Sequence, residues 1–167
     1  AEACGRSVAD VLSGEYALSE GPLDEYGELL ARGTDEHLAD IDAVLSGATR
    51  NWSLSRVSAT DRNLLRIALY EMLCVDEVAP AVAIDECVEL AKAFGSSEES
   101  NHFVNGVLGR IQADIDAGVD VVAQAREREA AEASAYDEQA SGDYEGASVA
   151  DDELADMPVP DWANEGE

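Results

Sequence analysis

Apolar residues recur through the first three quarters of the chain at intervals of three and four, and nowhere do they alternate with polar ones. That period predicts an all-α body without strands. Ser7 is placed to cap a short helix in SVADVLSGEY. After Pro22, residues Leu23, Tyr26, Leu30, Leu38, Ile41 and Leu45 keep mostly helical spacing, with Gly33 weakening the middle. NWSLSRVSAT reads as a loop whose Trp52 and Leu54 plug the core. Ser58 or Thr60 then starts a helix that runs to about Cys74. It is apolar nearly all round, through Leu64, Leu65, Ile67, Ala68, Leu69, Met72 and Leu73, as a central buried helix is. DEVAP is a turn, Pro80 sits near the first position of the helix AVAIDECVELAKAF, and Gly95 ends it. Ser96 with Glu99 three residues later has the form of a capping box for the last helix.

That last helix has two distinct faces. Val104, Val107, Leu108, Ile111 and Ile115 form one apolar stripe, which an amphipathic helix turns to the core. At about 100° per residue, Phe103 lies roughly 100° from the centre of this stripe, on the same outer side as Glu99, Gly106 and Arg110. A Phe beside a Gly and an Arg makes a contact patch: flat apolar area, room for close approach, and a cation for phosphate or carboxylate. The competing reading tucks Phe103 under a second helical layer, and the periodicity does not separate the two.

Charge changes the picture at the end of the chain. Of a net charge of −27, residues 127–167 carry −13, from 14 acidic residues and one Arg, and the body carries −14, from 23 acids and nine bases. The tail, residues 127–167, is rich in Ala, Glu, Asp, Ser and Gly, and has too little apolar surface to offset the entropy of ordering it. It is expected to be a disordered acidic segment, with a helix persisting into REREAAEASA (126–135), behind a helical domain at 1–126. A body this acidic is a poor unaided ligand for nucleic acid, whose binding needs a positive field. No run reaches the roughly 18 apolar residues of a membrane span, and no leader-like segment opens the chain, so a cytoplasmic location is expected. Three cysteines, Cys4, Cys74 and Cys87, without a CxxC pair, are read as reduced, with Cys74 and Cys87 acting as small hydrophobes.

Catalytic constellations are missing. There is no phosphate-cradling Gly-rich motif and no HExxH, and His37 and His102 lie far apart. No cofactor or metal is expected. Asp85, Glu86 and Glu89 form a half-solvated face of one helix, with Glu86 or Glu89 pairing to Arg62, Arg66 or Lys92, rather than a metal or general-acid site. Arg62 and Arg66, one turn apart, share a face; pairing with neighbouring carboxylates to brace the bundle outweighs holding a phosphate.

At FVNGVL (103–108) the sequence resembles the NusB family of transcription antitermination factors. The resemblance extends through LRIALYEML (65–73), VAIDECVELAKAFG (82–95) and the SEES turn (97–100), and more weakly to EHLADIDAVL (36–45) and NWSLSRV (51–57). It covers roughly residues 1–116. It implies an all-α fold of two packed small helical bundles. It implies a non-catalytic protein that binds the boxA sequence of nascent RNA together with NusE, a small-subunit ribosomal protein. The pair loads onto RNA polymerase as an antitermination complex, chiefly in ribosomal RNA operons. In the family the turn and helix start matching Glu99, Ser100, Asn101, His102 and Phe103 contribute to the RNA-facing surface, and the helix start matching Asp61 lies at the NusE and RNA junction. With Arg110 from the helical geometry, these are the candidate site residues.

Three departures bear on RNA affinity. The family's first helix carries an Arg-rich run, and Ala1–Gly5 resembles only the end of that helix, so the run is expected to be absent from this chain. Asn101 and His102 stand where many relatives have a His and a Lys. The tail is anionic. A second reading is therefore a NusB-like module for partner binding or self-association as a homodimer, with weakened RNA grip. A third, a fragment of an rRNA cytosine methyltransferase that carries a similar helical domain, is disfavoured by the acidic tail where a catalytic domain would follow.

Overall fold

The computed structural model describes residues 5–13, 24–49 and 53–142. The expectations for Cys4, Leu23, Trp52 and everything beyond Gly142 fall outside these residues. Within them the chain is helical: α1 (Val8–Leu12), α2 (Glu25–Glu36), α3 (Leu38–Ala48), a 3₁₀ turn (Leu54–Arg56), α4 (Ala59–Cys74), α5 (Pro80–Phe94), α6 (Ser100–Asp116) and α7 (Val121–Gly142). Ser7 caps α1 in a reciprocal box with Asp10. Ser58, not Thr60, caps α4, and Pro80 opens α5.

Helix α4 is the central element. It packs against α2, α3, α5 and α6, and α5 packs closely on α6. Leu65 and Leu69 of α4 are fully buried among Ile41 and Leu45 of α3, Cys87 and Ala91 of α5, and Val104, Leu108 and Ile111 of α6. Each such leucine contributes about 2–3 kcal/mol of burial. Burial also pushes the Cys87 thiol up to about 12, so it stays protonated and packs as a small hydrophobe. Cys74, expected in the same role, is exposed. Arg66 grips Asp42 with two parallel hydrogen bonds of 2.7 Å, from Nε and Nη2, and so braces α4 against α3 as expected. Lys92 pairs with Glu89.

Four features depart from the sequence reading. The segment after Pro22 is two helices, broken at His37, rather than one run. Gly33 is there for space: a Cβ would lie 2.0 Å from the Tyr70 ring, which stacks on His37. The Ser96–Glu99 capping box does not form; Glu99 itself is the N-cap of α6, with no side-chain cap bond, because the Ser96 hydroxyl is used elsewhere. Lastly, α6 does not run on into the Ala/Glu-rich segment. Gly118, with φ 80°, ends it in a Schellman arrangement, Gly118 N–H donating to Ile115 O and Val119 N–H to Asp114 O. Asp120 then accepts from Ala123 N–H, at 2.9 Å, and starts α7.

The chain divides into two compact units, 1–129 and 130–167. In the first, Val121 and Ala125 of α7 are buried in the core, Arg126 forms a two-point pair with Asp40, and Arg128 donates to Ala43 O. Helix α7 is continuous to Gly142, so the segment expected to be tail from 127 begins as helix and stays helical past the expected limit of 135. Ala and Glu are strong helix formers, and the segment needs no core of its own to extend a helix already anchored.

Candidate functional site

One carboxylate organises the turn between α5 and α6. Asp61, in the first turn of α4, is only 4% exposed. Its Oδ2 accepts from the hydroxyls of Ser96 at 2.5 Å, Ser58 at 2.9 Å and Ser100 at 3.1 Å, and its Oδ1 accepts from Ser96 N–H at 3.3 Å. Burial alone would raise its pKa. The hydrogen bonds from Ser96, Ser58 and Ser100 outweigh burial and hold the carboxyl below its ordinary range. Ser97 N–H donates to Ser100 Oγ at 3.1 Å, which closes the turn on itself. Gly95 makes this approach feasible: its added Cβ would stand 2.3 Å from Ala91 O and 2.4 Å from Ser100 Cβ.

The opposite side is set by Arg62. Its Nη1 donates to Leu54 O at 3.1 Å and Val57 O at 3.0 Å, which ties the 3₁₀ turn to α4. Arg62 is thus structural, like Arg66. Between the 3₁₀ turn and the α5–α6 turn lies an open cleft of 230 Å³, lined by Arg56, Val57, Ser58, Asp61, Ser96, Ser97, Glu99, Ser100 and Phe103. Arg56 and Glu99 are exposed, and Asp61 and Ser100 are buried beneath them.

The structure therefore gathers Phe103, Glu99, Ser100 and Asp61, four of the sequence candidates, around one cleft. Phe103 is half-buried. It packs against the core on one side and lines the cleft on the other, so each of the two readings of its geometry holds for part of the ring. Asp61 and Ser100 are inside the fold, where they position the turn. Asn101 is half-buried, its Oδ1 accepting from His102 N–H, and His102 is exposed; neither lines the cleft. Arg110 is displaced from the expected patch. It is not among the cleft residues, and its Nη1 donates to Ala48 O at 3.0 Å at the end of α3. The cation at the cleft is Arg56, which periodicity could not place because it sits in a single 3₁₀ turn too short to show a repeat. Over Gly106, on the outer face of α6, the space is open. Among the described residues, no group of three or more His, Cys, Asp or Glu side chains is disposed to hold a metal ion, and no helix is long and apolar enough to cross a membrane.

Comparison with known proteins gives a consistent result. The family model described as "NusB family" matches residues 4–113. The chain is 48% identical over 102 residues to the transcription antitermination protein NusB of Rubrobacter xylanophilus, covering 61% of this chain and 73% of that protein. It is 45% identical over 87 residues to the NusB of Pelotomaculum thermopropionicum, covering 52% and 60%. Among solved structures, T. maritima NusB is similar with a TM-score of 0.50 at 45% identity, over 52% of this chain and 61% of that one. A chain in the structure described as "Crystal Structure of a Plectonemic RNA Supercoil" is similar with a TM-score of 0.53 at 27% identity, over 57% and 68%. The chain thus spans 60% to 73% of the length of these four proteins.

Proposed function

Because the chain belongs to the NusB family, we propose that it is a non-catalytic transcription antitermination factor. In this reading it binds the boxA RNA of nascent ribosomal transcripts in the cytoplasm, together with NusE, within the RNA polymerase antitermination complex. The observation that carries the reading to a site is the placing of Phe103 and the exposed Arg56 on one cleft whose turn is held from beneath by Asp61. Single-stranded RNA is recognised by stacking splayed bases on aromatic rings and by cations at the phosphates. Phe103 supplies a partly exposed ring, Arg56 a cation, and the serine-rich turn polar groups that reach base edges. Glu99 lines the same cleft. The resemblance to a chain solved in an RNA-containing structure supports the same reading.

The test is Phe103→Asp, measured for boxA RNA binding in the presence of NusE and for thermal stability. Affinity is expected to fall at least about tenfold, as loss of one stacked base with an added anion requires. Stability is expected to fall less than in Val107→Asp, which buries a charge in the core stripe. Unchanged RNA affinity in a folded Phe103→Asp protein would remove the cleft from the RNA path.

A further inference from the structure

Two charged side chains at the cleft play no part in the fold. The carboxylate of Glu99 makes no cap bond to α6, and neither it nor the Arg56 guanidinium has a hydrogen-bond or ion-pair partner among the described residues. Both are exposed and both line the cleft, Arg56 from the 3₁₀ turn and Glu99 from the start of α6. The serine hydroxyls beside them are committed: those of Ser58, Ser96 and Ser100 donate to Asp61.

Arg56 has an evident use, since a cation at an RNA surface meets phosphate. Glu99 does not. A carboxylate beside a polyanion repels it and lowers affinity, unless some part of the RNA donates to it. Phosphates cannot donate; sugar hydroxyls and base edges can.

The position of Glu99 selects a base edge. Its backbone is already helical, and Phe103 N–H donates to its carbonyl at 3.0 Å, so the two side chains are neighbours on one face of α6. A base stacked on the Phe103 ring therefore turns an edge to the carboxylate. A carboxylate only accepts, through two oxygens side by side. Of the four bases, guanine alone has two adjacent donors on its Watson–Crick edge, N1–H and the N2 amino group. Adenine and cytosine set one amino donor beside a ring-nitrogen lone pair, which the carboxylate repels. Uracil flanks its single N3–H with two carbonyl oxygens.

We propose that Glu99 is a specificity-determining residue that reads a guanine stacked on Phe103, with Arg56 at the phosphate backbone. This rests on the RNA-binding reading above and adds to it the identity of one base.

The test uses uridine tracts of about ten nucleotides with guanine, inosine, adenine or cytosine at the centre. Binding to the full chain with NusE, and to NusE alone, is followed by fluorescence anisotropy at about 150 mM salt. Inosine keeps N1–H and lacks the N2 amino group. Guanine is expected to bind the complex at least about tenfold more tightly than adenine or cytosine, with inosine between. Glu99→Gln, an exposed change expected to leave the melting temperature unchanged, should reduce that preference to about twofold or less. Glu99→Asp, which keeps the carboxylate, should retain part of it. If Glu99→Gln tightens all four RNAs alike and leaves the guanine preference intact, the carboxylate only repels; the inference is overturned while RNA binding at the cleft stands. A guanine preference shown equally by NusE alone overturns it too. So does a weaker association of the Glu99→Gln chain with NusE in the absence of RNA, which would assign the carboxylate to a protein contact. If Phe103→Asp alters the affinity for none of these tracts, RNA does not enter the cleft, and the inference falls together with the function it rests on.

Discussion

Asp61 accepts four hydrogen bonds beneath the α5–α6 turn, so the ionised carboxylate is the form the fold uses. Its pKa is depressed on folding. The stability it contributes is therefore complete above the unfolded value of about 3.9 and is lost as pH falls through the lowered folded value. Asp61→Asn is expected to cost about 1–3 kcal/mol near pH 7, since one amide cannot accept from every donor now facing the carboxylate. In urea unfolding from pH 7 to pH 3, the gap between the two proteins should narrow at the acid end; a gap that widens would show that Asp61 is not held ionised. Gly95→Ala is expected to cost about 2 kcal/mol or more, because its Cβ meets the Ala91 carbonyl oxygen, a backbone atom that cannot swing aside. Arg56→Ala is expected to leave stability within about 0.5 kcal/mol, being an exposed change. It should weaken RNA binding and lower the salt dependence by about one phosphate contact. That Phe103 faces outward in part was legible from the period of α6. That Asp61 faces inward was not, because Ser58–Asp61 and Ser96–Glu99 look alike as capping pairs, and only the tertiary approach of the two turns decides which serine serves which group.

At the scale of elements, α4, α5 and α6 were legible because each carries a sustained apolar stripe and a chemical stop: Pro80, Gly95, and the Ser58 cap. The break at His37 was not, because Leu38, Ile41 and Leu45 keep phase with the helix before it. The break at Gly118 was missed for a different reason: one glycine amid good helix formers counts little by propensity and much once it adopts positive φ. Helix α7 matters in its first two turns. Val121 and Ala125 are buried and Arg126 and Arg128 reach back to α3, while Arg110 holds the carbonyl end of the same helix. Truncation after Asp120 is expected to cost about 2–3 kcal/mol, from the lost valine and alanine burial. Truncation after Glu129, where the first compact unit ends, should leave the melting temperature nearly unchanged. A large drop from the second truncation would show that the acidic segment docks on the body.

For the whole molecule, net charge sets the terms on which RNA can be held. A chain at −27 has no attractive long-range field for phosphate, so under the proposed function RNA recognition would rest on local contacts at the cleft and on cations supplied by NusE. The most direct measurement is binding of a boxA RNA and of its permuted sequence to this chain, with and without NusE, at one stated salt concentration near 150 mM. Alone, the chain is expected to bind both RNAs weakly and alike. With NusE, it should bind boxA at least about tenfold more tightly than the permuted RNA. Equal affinity for the two RNAs in the presence of NusE would contradict the assignment of this chain as a boxA-binding antitermination factor.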